Sequence, residues 1–251
     1  MRQIPLRLRH LIKPKPAGEP EREFGNINLL ALLFRETKHQ LFLTSAKMAG
    51  LMIVYLKDPR SQIKQTSKAR SSEQSNLKRG LSTPGMTVKN FTKGLRVIRP
   101  LHVKFSLTLE FRDGRVEDFV VEYTQDKLFS VFSNKEGCTN YNFLRLLWDQ
   151  VFERLGFNED TWKKAVGDYL DDPANGYDDK KNVRSSERSN LRRGLACPNM
   201  TIENFTKALR VINPTMATLG MDLKHESGKW THHSAKLRGS SLASSPFEKE
   251  G

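Results

Sequence analysis

A block of 31 residues occurs twice in this chain. Residues 70–100 read RSSEQSNLKRGLSTPGMTVKNFTKGLRVIRP and residues 184–214 read RSSERSNLRRGLACPNMTIENFTKALRVINP. Of the 31 aligned positions 22 are identical, at a constant offset of 114 residues and without a gap. Self-similarity at a fixed period constrains architecture before any local propensity does, because each copy must be one unit that packs on or beside its twin. Two copies of a small unit suit a protein that grips something with two similar features. They suit a single buried active site less well.

The same offset works outside the block. Tyr55-Leu56-Lys57-Asp58-Pro59 aligns with Tyr169-Leu170-Asp171-Asp172-Pro173, and residues 28–41 align with 142–155. Downstream, Asp113-Gly114-Arg115 aligns with Ser227-Gly228-Lys229. The expected organisation is a flexible basic arm over 1–25, unit one over 26–125, a linker over 126–139, unit two over 140–237 and a disordered tail over 238–251. Either unit alone would have a thin core. The two are expected to fold separately or to lean on each other.

Within a unit the hydrophobic period gives four helices and a hairpin. Helix one is expected over 28–41 and 142–155, where Phe143, Leu146, Leu147 and Val151 follow helical spacing. Helix two is expected over 44–57 and 160–171, ended by Asp58-Pro59 and Asp172-Pro173, since the residue before a proline is pushed out of helical conformation. The segments RSQIKQTSKA and ANGYDDKKNV that follow keep their length while their composition drifts, as solvent-facing connections do. Helix three is expected over 71–80 and 185–194 with a serine start able to cap it. Helix four begins at Thr87 and Thr201, with Met86 and Phe91, or Met200 and Phe205, placed as a hydrophobic staple. Beyond Pro100 the period changes to two: Val103, Phe105, Leu107, Leu109 and Phe111, then a two-residue Asp113-Gly114 turn, then Phe119, Val121 and Tyr123. The fold class is α+β, mainly α, a tandem repeat of a helical unit followed by a β-hairpin.

The net charge is +14 and the isoelectric point near 9.8. That balance favours a polyanionic partner, most often nucleic acid. No stretch reaches eighteen apolar residues, so no membrane span and no membrane partner are expected. The start MRQIPLRLRHLIKPKP is basic and broken by prolines, without the apolar run of a secretory signal. Acids at Glu19 and Glu21 argue against a mitochondrial presequence. Cys138 and Cys197 are not repeat equivalents and give no disulfide framework, which fits a reducing, cytoplasmic compartment.

Core leucines and the staple account for part of the repeated identity. They leave the outer face of helix three, which carries Arg70, Ser71, Ser72, Gln74, Ser75, Asn76, Lys78 and Arg79 in copy one. In copy two it carries Arg184, Ser185, Ser186, Arg188, Ser189, Asn190, Arg192 and Arg193. Glu73 and Glu187 belong to the same outer face in this reading. A short helix with basic and amide side chains outward suits a major groove, where arginine reads guanine and asparagine or glutamine reads adenine. Serines and free amides of a first turn suit phosphate oxygens. Gln74 stands opposite Arg188, so the two half-sites are expected to differ there, adenine under copy one and guanine under copy two. The competing account is that serine and asparagine only cap the helix and the arginines are solvated.

The run SNLRRGLACPNMTIENFTKALRVI resembles the recognition helix and following helix of helix-turn-helix proteins of the phage-repressor and antitoxin type. The resemblance covers 184–224 and its twin at 70–110. It implies that Ser185, Ser186, Arg188, Ser189 and Arg192 face DNA, and that two such units act as a built-in dimer. In that family a short helix and tight turn stand directly before the recognition helix; here DDKKNV or KQTSKA fills that place.

Other signals point to no chemistry. Asp168, Asp171, Asp172, Asp178 and Asp179 form an acidic cluster, but copy one has Lys57 opposite Asp171 and Lys64 and Gln65 opposite the last two. His225, His232, His233 and Cys197 match no zinc spacing. Trp148, Trp162 and Trp230 are expected in the core or at an interface. No phosphate-binding glycine loop or nucleophile elbow is present. The expected function is therefore a non-enzymatic, sequence-preferring DNA-binding protein, a transcriptional regulator in a bacterial or phage-infected cell, with no cofactor and no metal. Two other readings stand beside it: an antitoxin-like or host-takeover factor that pairs with a protein partner through the hairpin edge 103–123, and a binder of structured RNA.

Overall fold

The computed structural model describes residues 33–34, 45–61, 63–81, 86–130, 143–175, 177, 181–196 and 200–238. These form a mixed helix and strand structure around one four-stranded antiparallel sheet. In chain order the elements are α1 (Ser45–Lys57), a 3-10 turn (Pro59–Ser61), α2 (Ser67–Gly80), α3 (Val88–Ile98), β1 (His102–Glu110), β2 (Val116–Thr124) and α4 (Gln125–Ser130). They continue as α5 (Phe143–Arg154), α6 (Glu159–Asp171), a second 3-10 turn (Pro173–Asn175), α7 (Lys181–Arg193), α8 (Ile202–Ile212), β3 (Met216–Lys224) and β4 (Trp230–Arg238). From α1 to β2, every element has a later counterpart whose first residue is displaced by 114.

Local chemistry sets these bounds. Thr87 and Thr201 cap α3 and α8, each Oγ1 accepting from the backbone N–H three residues on, Asn90 or Asn204, at 3.1 Å. Met86 with Phe91, and Met200 with Phe205, are buried as the staple requires. Both helices end on a left-handed residue, Arg99 (φ 58°) and Asn213 (φ 55°), followed by proline. Asn158 caps α6 in a capping box with Thr161. The first helix of copy two is α5; its expected twin at 28–41 lies outside the described residues except Leu33 and Phe34, which are helical and buried. Of the expected linker, residues 126–130 are helical in α4 and the rest lies outside the described residues, as does the tail beyond Arg238.

The hairpin turns differ from expectation. Phe111 N–H donates to the Arg115 carbonyl and Gly114 N–H to the Phe111 carbonyl, with Gly114 at φ 84°. This is a three-residue loop with a glycine bulge, not a two-residue turn. His225, Gly228 and Lys229 repeat it in the second hairpin. Arg112 and Asp113 favour right-handed turn conformation, leaving the left-handed position to the glycine alone.

The strand order is β2-β1-β3-β4. β1 and β3 pair antiparallel, with Ser106 opposite Gly220, the residue 114 positions on. The hairpins therefore do not stand apart: the inner edge of the first is consumed by the second. The outer edge of β2 is met by α5 at two residues. Gln150 of α5 accepts from Val120 N–H at 3.2 Å and donates to its carbonyl at 2.8 Å, and Arg154 donates to the Asp118 carbonyl. Of the edge 103–123 expected to recruit a partner strand, β1 is paired on both sides within the chain, and β2 is met on its outer side at Asp118 and Val120.

One sheet face carries Val103, Phe105, Leu107, Leu109, Phe119, Leu219, Met221 and Leu223, all buried. Register puts all of them on the same side, so both sets of helices cover one face. Phe143 of α5 stacks on Phe105 of β1 (centroids 3.9 Å apart, planes 9°) and lies 6.0 Å from Phe91 of α3. A side chain from the second half of the chain thus completes the core of the first. Replacing Phe143 with alanine should remove about 3–5 kcal/mol of stability. Urea unfolding should show one shifted transition, whereas two separate transitions with the first-unit signal unchanged would mean the halves fold independently.

Candidate nucleic-acid interface

The candidate interface is built on α2 and α7. Both begin four residues earlier than expected, inside the segments read as loops. Thr66 is the cap of α2, its Oγ1 accepting from Ala69 N–H at 3.2 Å. Ser71, Ser72, Ser185 and Ser186 consequently sit in the second turn and cap nothing. The amide of Arg70 is already bonded to the Thr66 carbonyl at 3.1 Å. A phosphate site made from free first-turn amides beside these serines is therefore excluded.

Packing separates the repeated residues into two sets. Leu77 and Leu191 are buried. Gly80 and Gly194 lie so close to α3 and α8 that an added methyl group would overlap the amide of Asn90 or Asn204, which explains glycine at both positions. Glu73 and Glu187, read from sequence as outward, face inward. Glu187 is only 5% exposed and pairs with Lys207 at 2.9 Å; Lys207 also reaches Glu203 at 3.1 Å. Glu73 pairs with Lys93 in the other copy. Burial alone would depress the Lys207 ammonium, but Glu187 and then Glu203 more than offset this and hold it above its ordinary value. These Glu–Lys and Gly–Asn contacts were not foreseen. Their signal was present, since all four residue types are identical in both copies.

The second set is what packing does not explain. Ser71, Ser72, Ser75, Asn76, Lys78 and Arg79 are exposed on α2, as are Ser185, Ser186, Arg188, Asn190, Arg192 and Arg193 on α7. Arg70, Gln74, Arg184 and Ser189 are half-buried. None of the sixteen candidate residues is buried. Arg79 donates to Asn76 Oδ1 at 2.8 Å and Arg193 to Ser189 Oγ at 3.0 Å. Each bond links neighbours along one helix face and pre-positions a guanidinium at the surface.

The two copies differ in charge. Arg184 pairs with Asp171, and Arg192 with Glu159 at 2.6 Å. Lys163 first, and Arg192 with it, hold the Glu159 carboxyl below its usual value. Between α6 and α7 runs a groove of about 660 Å³ floored by Trp162 and Val166 and edged by Arg188, Arg192 and Arg193. In copy one Ser45 stands where Glu159 does, and α1 contains no acidic residue. The α2 face is accordingly the more positive.

The signals set aside have structural partners. Lys164 binds Asp168 at 2.9 Å, and the Asp172 carboxylate accepts from Ala174 N–H at 3.0 Å. His225 and His233 each meet Thr231, and His232 meets Asp222. Among the described residues no three of His, Cys, Asp and Glu cluster to hold a metal, and Cys197, Asp178 and Asp179 lie outside them. Trp148 and Trp162 are core, 5.0 Å apart, whereas Trp230 is 48% exposed at the end of β4. Among the described residues no helix is long and apolar enough to cross a membrane.

Lys207→Met should cost about 3 kcal/mol or more, because it strands a buried carboxylate. Lys93→Met should cost less, since its pair is more exposed. The Lys207 pKa is raised on folding, so its contribution is fully present below about pH 10 and is lost as pH climbs through the folded value. Denaturant titration at pH 7 ranks the two variants; equal losses would mean the pairs are equivalent. No family model, no curated protein and no solved structure matches this chain.

Proposed function

We propose that this chain is a tandem repeat of a helix-turn-helix-like unit, a non-enzymatic protein that binds duplex DNA with sequence preference and acts as a regulator in a bacterial or phage-infected cytoplasm. One observation carries the reading. Within the repeated block, Ser71, Ser72, Asn76 and Arg79 match Ser185, Ser186, Asn190 and Arg193, yet all eight are exposed, where packing into the core demands no particular side chain. A shared external partner supplies the missing reason.

The register of β1 and β3 adds support. Pairing symmetric about Ser106 and Gly220 is that of a two-fold axis normal to the sheet. Such an axis relates α2 to α7 on one side of the sheet, as the recognition helices of a dimer are related by the dyad of their operator. Half-sites one helical turn apart would require a separation of about 34 Å. The pairs α1–α2 and α6–α7 take the part of the two motif helices, with a nine-residue connection holding a 3-10 turn where the family has a tight turn. Net charge +14 supplies salt-dependent affinity, and side chains of α2 and α7 supply preference.

A second reading is favoured by Trp230. Its exposed ring lies 5.6 Å from His102 and 5.9 Å from the Lys224 ammonium, on the sheet face away from the helices. An exposed ring with a lysine ammonium beside it suits stacking on an unpaired base.

Two measurements test the proposal. In fluorescence anisotropy across a salt series, Arg79→Ala combined with Arg193→Ala should weaken duplex binding roughly tenfold or more, since an arginine on a base edge contributes about 1–3 kcal/mol. Unchanged affinity, with binding abolished by Trp230→Ala instead, would transfer the function to the sheet. Glu159→Gln should release Arg192, strengthen binding and steepen the salt dependence by about one phosphate contact. Weaker binding in that variant would show that the Glu159–Arg192 pair builds the interface.

A further inference from the structure

The sheet face away from the helices is built from alternate residues of all four strands. Near one end it holds a pocket of about 630 Å³, lined among others by His102, Lys104, Glu122, Asp222, Lys224 and Trp230. Small-molecule sites span roughly 300–1,000 Å³. Register aligns Glu122, Lys104, Asp222 and His232 in one row across β2, β1, β3 and β4, and His102, Lys224 and Trp230 stand in the next. Trp230 is exposed, and its ring meets His102 at a steep angle, centroids 5.6 Å apart and planes at 66°.

The ion pairs of that row are not the ones its register invites. Lys104 lies between Glu122 and Asp222, yet among the described residues it forms an ion pair with neither. Glu122 is held instead by His102 at 3.3 Å, and Asp222 Oδ1 by His232 Nδ1. A half-buried ammonium and a half-buried carboxylate thus stand side by side with bonding capacity left over. The repeat does not double this arrangement. Moving 114 residues on from Lys104 gives Thr218, and moving 114 back from Asp222, Lys224 and Trp230 gives Thr108, Glu110 and Val116, with neither a ring nor a lysine. Among the described residues the combination therefore occurs once, unlike the matched faces of α2 and α7.

We propose that this pocket binds a guanine base. The inference rests on the reading of Trp230 as a stacking surface and names the base it takes. The guanine ring stacks on Trp230. Its base-pairing edge presents a carbonyl oxygen, O6, followed by two adjacent donors, N1–H and the N2 amino group. Lys104 donates to O6, and the Asp222 carboxylate accepts from both donors while His232 holds it in place. The other bases lack two neighbouring donors on that edge. Adenine and cytosine set a ring-nitrogen lone pair beside their amino group, and thymine flanks a single N–H with two carbonyls, so each would turn a lone pair toward the carboxylate. Lys224, whose ammonium lies 5.9 Å from the Trp230 ring, meets the phosphate of the same nucleotide.

Calorimetric titration of the full chain with dGMP, dAMP, dCMP and dTMP decides. One dGMP should bind per chain, roughly tenfold or more tightly than the other three, because a bidentate contact to one base edge discriminates by about that much. Asp222→Asn should erase the preference and leave the weaker binding of the other nucleotides unchanged. Should that variant misfold, Lys104→Met, which removes the donor to O6, carries the comparison. A single-stranded dT oligomer carrying one dG separates the two sources of the base: tighter binding than dGMP marks a strand, equal binding a free nucleotide. Equal affinity for all four nucleotides, or a preference that survives Asp222→Asn, overturns the guanine assignment and leaves stacking on Trp230 standing. Failure of every nucleotide and of the oligomer to bind overturns both. Arg79→Ala with Arg193→Ala should leave dGMP affinity unchanged, so the duplex reading stands or falls separately.

Discussion

The pairing of β1 with β3 is the constraint on which everything else rests. Each hairpin alone would be a two-stranded ribbon, marginal in water. Joined edge to edge they make a sheet wide enough to carry both helical layers on one face, with Phe105 and Met221 opposite each other in the shared core. The join also hides the backbone groups that a lone hairpin would offer to other chains. α5 adds to the arrangement, since its Gln150 bonds the outer edge of β2 at Val120 and its Phe143 fills the space above Phe105.

The buried Glu–Lys pair explains why so polar a helix as α7 sits where it does. Its inward residues are Glu187 and Leu191, and buried Gly194 follows directly on its last turn. A carboxylate in that stripe is tolerable only because Lys207 of α8 lies within 2.9 Å. The pair fixes the rotation of α7 about its axis. Fixing that rotation leaves Ser186, Asn190 and Arg193 at the surface. The chemistry that packs the helix thus also decides which side chains a partner can meet.

Much of the fold was legible because its signals were local and doubled. The staple at Met86 and Phe91, the threonine caps and the alternation from Val103 to Leu109 each rest on a short-range rule, and each occurs twice. The start of α2 was not legible, because Thr66 caps a polar segment whose periodicity is too weak to see. The hairpin turn was misjudged because Asp-Gly serves a two-residue turn and a glycine bulge equally well. The join between β1 and β3 left no trace in the sequence, since pairing across 114 residues has no local signature. On α2 and α7 most of the serines and arginines expected to face outward are exposed, while Arg70, Arg184 and Ser189 are half-buried. The inward turn of Glu187 was missed because a lone glutamate in a basic helix looks solvated until its lysine, twenty positions on, is brought beside it.

Ser106 and Gly220 meet where the axis pierces the sheet. A methyl group on Gly220 would meet the Ser106 hydroxyl in its present rotamer, so a second side chain at the crossing would oblige the serine to turn away. Two identical half-chains would bring the same residue to that point from both directions, serine against serine or glycine against glycine. Covalent fusion removes this restriction, letting one half contribute the hydroxyl and the other the space for it. The centre of the sheet is thus the one point where the matching register of β1 and β3 brings unlike residues, a hydroxyl and a bare backbone, face to face.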